Sequence, residues 1–396
     1  MTAGHGGQIL VADSTANQLS GVDLLDLGPR RLRDVPTAVG VFQVQGPGLR
    51  SEFPPLRVLD ATPFRWAAEA DELDIAATIA TYGGILGYLV ENYEPTTWAE
   101  ELIEPARATN HARLATLYVL ASMCGLAGRI DDATRYRCAA QHIIDSEGGE
   151  VLLGFEAILG RAYLISGRPG EWPEWCRNRL AQGHDSRTFT WSSMVMTLAI
   201  AGTADESMAA AHGLIEAAEK TRNPHAESFA LLALGIAYRD TEPVRALDAL
   251  RRGLVIAHDN GVRVNESILA MTVGRLEAEH GDPLAALDYV ARTLRNYHDA
   301  GNTAVICMPL ACLAAVLDRL GHYEPAATIA GFAGDAFTTT AFAGIAVTIT
   351  HLRDVLGDLI YEPLARTGGA MEVSAMAAYA YDQIDQARAE LNAVSQ

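Results

Sequence analysis

Three histidines, His258, His280 and His298, each stand within two residues of an aspartate, Asp259, Asp282 and Asp299. Imidazole and carboxylate are ligands that a divalent cation takes, so these six residues are the best metal-binding candidates in the chain. The same residues have a plainer explanation. A histidine in the last turn of a helix sits favourably against the negative end of the helix dipole, and Asp or Gly then ends the helix. His258 and His298 lie in matching segments, AHDNG at 257–261 and YHDAG at 297–301, and that repetition favours the helix-end explanation. The acidic stretches AEADELD and TADESM read in the same way, as solvated turns and caps, not as paired catalytic carboxylates.

Nucleotide chemistry fares no better. A phosphate-binding P-loop needs GxxxxGK followed by Ser or Thr, because its lysine reaches the terminal phosphates. Of the 30 basic residues, Lys220 is the only lysine, and it follows Glu219 in EAAEKTRN. No HExxH, GxSxG or GxGxxG stands in a supporting context. The five cysteines, Cys124, Cys138, Cys176, Cys307 and Cys312, form no CxxC pair and lie in apolar helical surroundings, so they are expected to be small core residues. The residues therefore supply no catalytic, cofactor-binding or metal-ligating assignment. No cofactor is expected.

The net charge of −19 opposes binding to a phosphate backbone, which excludes nucleic acid as an expected partner. The longest stretches free of charge, such as Leu114 to Gly128, fall short of a spanning helix, and the N-terminus has no secretory pattern. No membrane association is predicted, and the cytoplasm is the expected location.

Two kinds of element would have to position any site. Residues 8 to 44 alternate β-branched runs with turn residues, giving strands at Ile9–Ala12 and Ala38–Val44, a short helix capped by Ser14 or Thr15, and a third extended run at Val22–Leu27. This is a βαββ fragment over residues 1–46, too small to bury much surface alone. Residues 47–63 are proline-rich, with Pro54 and Pro55 adjacent, and read as a linker. From residue 64 to 396 the apolar period changes to three and four, as at Phe229, Leu232, Ile236 and Ala237. Helix pairs then repeat. Thr241, Gly281 and Gly321 mark turns 40 residues apart, each followed five residues later by an alanine, Ala246, Ala286 and Ala326. Gly128 and Ala133 keep the same spacing, and weaker turns fall near 91, 167 and 202. A tight turn and a small residue let the second helix of each pair pack closely on the first. The fold class predicted is mainly α: a TPR-like α-solenoid of antiparallel helix pairs stacked as a right-handed superhelix, preceded by the small βαββ fragment.

The run GGQILVADSTANQLSGVDLLDLGPRRLRDVPTAVGVFQVQGPGL resembles the C-terminal end of a class III nucleotidyl (adenylate/guanylate) cyclase domain, through GQ-x-L-V-A-D, a D-L-G…L-R-D hairpin and a closing V-x-x-F-Q strand. The later segments LRDVLGDLIYEPLARTG and AMAAYAYDQIDQARAEL resemble the helical arrays of actinobacterial regulators that join such a cyclase to an AAA-type ATPase and, in some members, a LuxR-type DNA-binding domain. The resemblance implies cyclic-nucleotide signalling and transcriptional regulation as the ancestral setting. It does not carry catalytic residues across: Asp13, Asp23, Asp26 and Asp34 match no metal position of the cyclase motif. The expected product is a truncated or internally deleted relative that is not an enzyme, a scaffold binding a protein or peptide in the concave groove of its array. The alternative is a regulatory subunit that completes or modulates a cyclase-domain protein.

Overall fold

The computed structural model describes residues 10–16, 22–30, 39–46, 62–184, 188–334, 338 and 344–394. The proposed linker at 47–63 lies outside them except for its last two residues. The described elements are β1 (Leu10–Ala12), α1 (Asp13–Ala16), β2 (Asp23–Arg30) and β3 (Val39–Gln45), then α2 (Thr62–Glu69), α3 (Leu73–Leu89), α4 (Glu94–Ala108), α5 (Leu114–Ala121), α6 (Ile130–Glu147), α7 (Leu159–Ile165) and α8 (Trp172–Ala181). There follow α9 (Phe189–Ile200), α10 (Ala204–Ala210), α11 (Leu214–Thr221), α12 (Pro224–Tyr238), α13 (Pro243–Asp259), α14 (Arg263–His280), α15 (Pro283–Ala300), α16 (Cys307–Arg319), α17 (Tyr323–Ala333), α18 (Gly344–Leu356), α19 (Asp358–Gly369) and α20 (Val373–Val394). The protein is thus mainly helical, and every described strand precedes residue 46.

The N-terminal segment has the expected order of strand, helix, strand, strand. Its sheet runs β1-β3-β2, with β3 central and antiparallel to both neighbours. The register Leu10↔Gln43, Val11↔Phe42 and Leu24↔Val44 puts Val11, Leu24, Phe42 and Val44 on one face. All four are only partly covered, whereas Val41 on the other face is buried.

The helices begin two residues ahead of the expected boundary because Pro63 enters the first turn of α2, where its missing N–H costs nothing. Local chemistry explains the later starts as well. Asn223 accepts hydrogen bonds from the backbone N–H groups of His225 (3.0 Å) and Ala226 (3.4 Å), with Pro224 opening α12. Asp282 accepts from Leu284 N–H (3.0 Å) with Pro283 opening α15. Ala246, Ala286 and Ala326 are all fully buried, and the turn glycines Gly128, Gly167, Gly202 and Gly321 have positive φ. Successive helices pack against one another, α12 on α13, α13 on α14 and α14 on α15, and alternate ones touch, as α12 does α14.

The core forms two main clusters, one from Phe64 to Leu276 and one from Ala278 to Ala387, that meet on α14. Closure is the feature that positions the site. Far apart in sequence, α3 packs against α14, the Ala304 backbone N–H donates to Leu126 O (3.1 Å), and Ser267 Oγ donates to Glu91 Oε2 (2.9 Å).

Candidate functional site

Where the chain closes, charged and polar side chains are enclosed among apolar helices. Tyr88 lies near the end of α3 and Glu91 in the turn after it, held at φ +55. Arg161 is on α7, His225 in the first turn of α12, Arg263 and Ser267 on α14, Tyr297 on α15 and Asn302 in the loop beyond.

Glu91 is 5% exposed. Its Oε2 takes the Ser267 hydroxyl and lies 3.6 Å from Arg263 Nε, while Oε1 has no hydrogen-bond partner. Burial raises its pKa from 4.5 to about 7, against the lowering effects of the Ser267 bond, Arg263 and Arg161. Asn296 Nδ2 also donates to Ser267 Oγ (2.9 Å), and Arg263 donates to Asn296 Oδ1 (2.9 Å), so the carboxylate's two partners are themselves fixed. Asn302, 1% exposed, and the Tyr93 hydroxyl lie together without a well-formed hydrogen bond.

His225 is walled by Phe189, Phe229 and Tyr88, at ring-centroid distances of 4.8, 6.1 and 6.3 Å. Burial, helped by the positive charge of Arg161, pushes its pKa down to about 3, so the ring is neutral. Asn265 Nδ2 donates to His225 Nδ1 (2.9 Å), which leaves the ring proton on Nε2. Burial works against the charge of Arg161, yet Tyr88, Tyr93, Tyr297 and Glu91 hold its pKa above the ordinary value. Its guanidinium carbon stands 5.3 Å from the centre of the Tyr88 ring, a cation–π contact.

The accepting nitrogen of His225 is occupied by the Asn265 amide, and the one hydroxyl held by a carboxylate here, Ser267 on Glu91, is fully buried and also accepts from Asn296. The arrangement is a set of polar groups that joins distant helices around a small cavity. Tyr88, Arg161, His225 and Asn265 line that cavity together with Phe155, Phe189 and other apolar side chains.

The metal candidates are dispersed. His258 stands at the end of α13 beside Glu266 (3.3 Å) and Arg292 (3.0 Å), His298 is in the last turn of α15, and Asp282 caps that helix. The side chain of His280 lies outside the described residues. No group of three or more His, Cys, Asp or Glu that could hold a metal occurs among the described residues. Four cysteines are buried as expected; Cys138 is exposed on α6, a departure explained by its place on the solvent side of an amphipathic helix. Sequence alone singles out none of the enclosed polar residues as a site and marks 91 only as a weak turn; Arg161 and Glu91 are the two that carry a signal. Their signal is a charge inside an apolar segment, LGRAYLI and GYLVENY, where helix period asks for an apolar side chain or a solvated turn.

No helix among the described residues is long and apolar enough to cross a membrane. No known family model matches this chain, and no curated protein matches it.

Proposed function

We propose that the protein is a non-catalytic helical-repeat scaffold for protein interaction, a TPR-like α-solenoid with a right-handed superhelix, working in the cytoplasm and descended from cyclase–ATPase transcriptional regulators. The observation that carries this reading is the recurrence, at 40-residue steps, of a helix pair whose second helix buries Ala246, Ala286 or Ala326 completely. Repeats of that kind stack neighbour on neighbour and present extended surfaces to partners. Lys220 supports the non-catalytic part: it is exposed in the last turn of α11, not in a glycine-rich loop ahead of a helix. In this reading a partner protein or peptide segment takes the concave groove of the array, and the Glu91–Ser267 contact between α3 and α14 favours the helices beyond α14 as its place.

The second reading, a regulatory subunit for a cyclase-domain protein, is favoured by one observation. β1 and β2 are both edges of the described sheet, and the Val11, Leu24, Phe42 and Val44 face is only partly covered. Both readings are tested by recovering partners on the purified chain and reconstituting each with it. Direct, saturable binding by a protein without a cyclase domain supports the scaffold, and stimulation of a cyclase supports the second reading. Incubation with ATP or GTP and manganese is the opposing test. Cyclic product or released phosphate above a heat-killed control, abolished by a substitution in this chain, would overturn the proposal.

A further inference from the structure

We propose that the cavity at Arg161 binds a small monocarboxylate of formate or acetate size, taken between the guanidinium and the Tyr88 hydroxyl. The cavity amounts to about 30 Å³, room for about two waters or a carboxylate of three or four heavy atoms.

Part of its polar lining is already committed, while His225 Nε2–H and Asn265 Oδ1 are left open. Asn265 Nδ2 is spent on His225 Nδ1, His225 O and Ser228 Oγ, at 2.9, 3.1 and 2.8 Å. Ser193 Oγ accepts from Trp172 Nε1 (2.8 Å) and donates to Ala157 O (3.2 Å). By contrast, neither Arg161 nor the Tyr88 hydroxyl makes a hydrogen bond or ion pair with any described residue, and neither has its polar atoms sealed off from accessible space. A guanidinium in an apolar interior is costly unless an acceptor meets it. Arg161 can only donate, and the Tyr88 hydroxyl and His225 Nε2–H can donate beside it, so the cation calls for an acceptor, and a planar fork of N–H groups matches a carboxylate in two parallel bonds.

The class follows from charge and wall. A single cation faces the cavity, and Glu91 contributes negative charge nearby, which disfavours a dianion such as phosphate. Phe155, Phe189, Phe229 and Ile268 supply an apolar wall that suits a hydrogen or methyl group and gives a halide nothing. The site is independent of whichever partner the array binds.

The experiment uses the full chain. Thermal melts are recorded with sodium formate or acetate against sodium chloride and sodium phosphate at equal ionic strength, and binding of carbon-13-labelled acetate is followed by NMR. The expected result is a saturable rise of roughly 2 °C at tenfold excess over half-saturation, confined to the carboxylates. In Arg161→Met the rise is lost, and in Tyr88→Phe half-saturation moves up severalfold. An equal effect of chloride, a stronger one of phosphate, no saturable response, or an undiminished carboxylate response in Arg161→Met overturns the proposal. Should Arg161→Met fail to fold, the labelled-acetate titration of the wild type and of Tyr88→Phe decides alone: saturable, chloride-resistant binding weakened in the variant supports the site, and anything else overturns it.

Discussion

Glu91 and His225 share one interior and answer pH in opposite senses. Glu91 has its pKa raised from 4.5 to about 7, so the folded chain holds its proton where the unfolded chain has released it. Its contribution to stability is complete below pH 4.5, declines as pH rises to about 7, and by then has fallen by about 3 kcal/mol. His225 has its pKa lowered from 6.5 to about 3, so its contribution is complete above pH 6.5 and declines as pH falls toward 3. Between 4.5 and 6.5 the two slopes oppose each other. Glu91→Gln removes one of them: denaturant melts are expected to show a variant more stable than wild type at pH 8 and no longer so at pH 4. A wild type that keeps its advantage at pH 8 would mean that the Glu91 charge is favourable where it stands. The neighbouring histidine gives a second expectation, that NMR titration finds the His225 ring neutral at pH 5.

The helices offer sharper tests because their contacts are graded. Ala286→Leu or Ala326→Leu overpacks a fully buried contact and is expected to cost roughly 1–3 kcal/mol in thermal or chemical melts. Asp288→Ala, exposed on the same helix as Ala286, breaks only its 2.6 Å pair with Arg388 on α20 and should cost about 1 kcal/mol or less. Arg292 is a poorer control than its sequence position suggests, since it pairs with Glu266. The crossing of α17 and α19 is the tightest of these. A Cβ on Gly331 would run into the Ala365 backbone, and one on Gly368 into the Thr328 carbonyl, so Gly331→Ala and Gly368→Ala must push whole helices apart. Each is expected to cost more than Gly235→Ala, whose Cβ meets only the movable Leu250 side chain. Comparable melting temperatures for all three would show that the crossing yields easily. The 40-residue period was legible because turn glycines and buried alanines are set by neighbouring helices. The α17–α19 crossing was not, because a glycine in GFAG or TGGA looks the same whether it meets solvent or a carbonyl.

On the scale of the whole molecule, the strand-first order and the change of period were plain in composition and spacing, while closure was invisible. It depends on contacts such as Glu91 meeting Ser267, and although the charge in GYLVENY marks Glu91 as unusual, nothing in its segment names Ser267 as the partner. An open repeat array unravels from its ends, with each pair answering mainly to its neighbours. A chain joined from α3 to α14 should instead lose residues 73–302 together. Hydrogen exchange is therefore expected to give similar opening free energies for α3, α7, α12 and α14, and Ser267→Leu, which disrupts the join, should let α3 and α4 exchange earlier than α12. A wild type already showing stepwise protection from α3 inward would count against closure as a source of cooperativity.

The Glu91–Ser267 bond spans 176 residues, and that span is also an interval of time. A ribosome adding about 5–20 residues per second needs roughly 10–35 s to deliver α14 after the turn holding Glu91 has emerged. Throughout that wait Glu91 stands in water as an ordinary carboxylate, and the inner faces of α3, α7 and α12 have no opposite wall. The nascent chain is thus most exposed to misassembly and most dependent on chaperones before residue 267 is made, and slowing translation between the codons for α4 and α14 should lower the yield of folded protein more than an equal delay after α15.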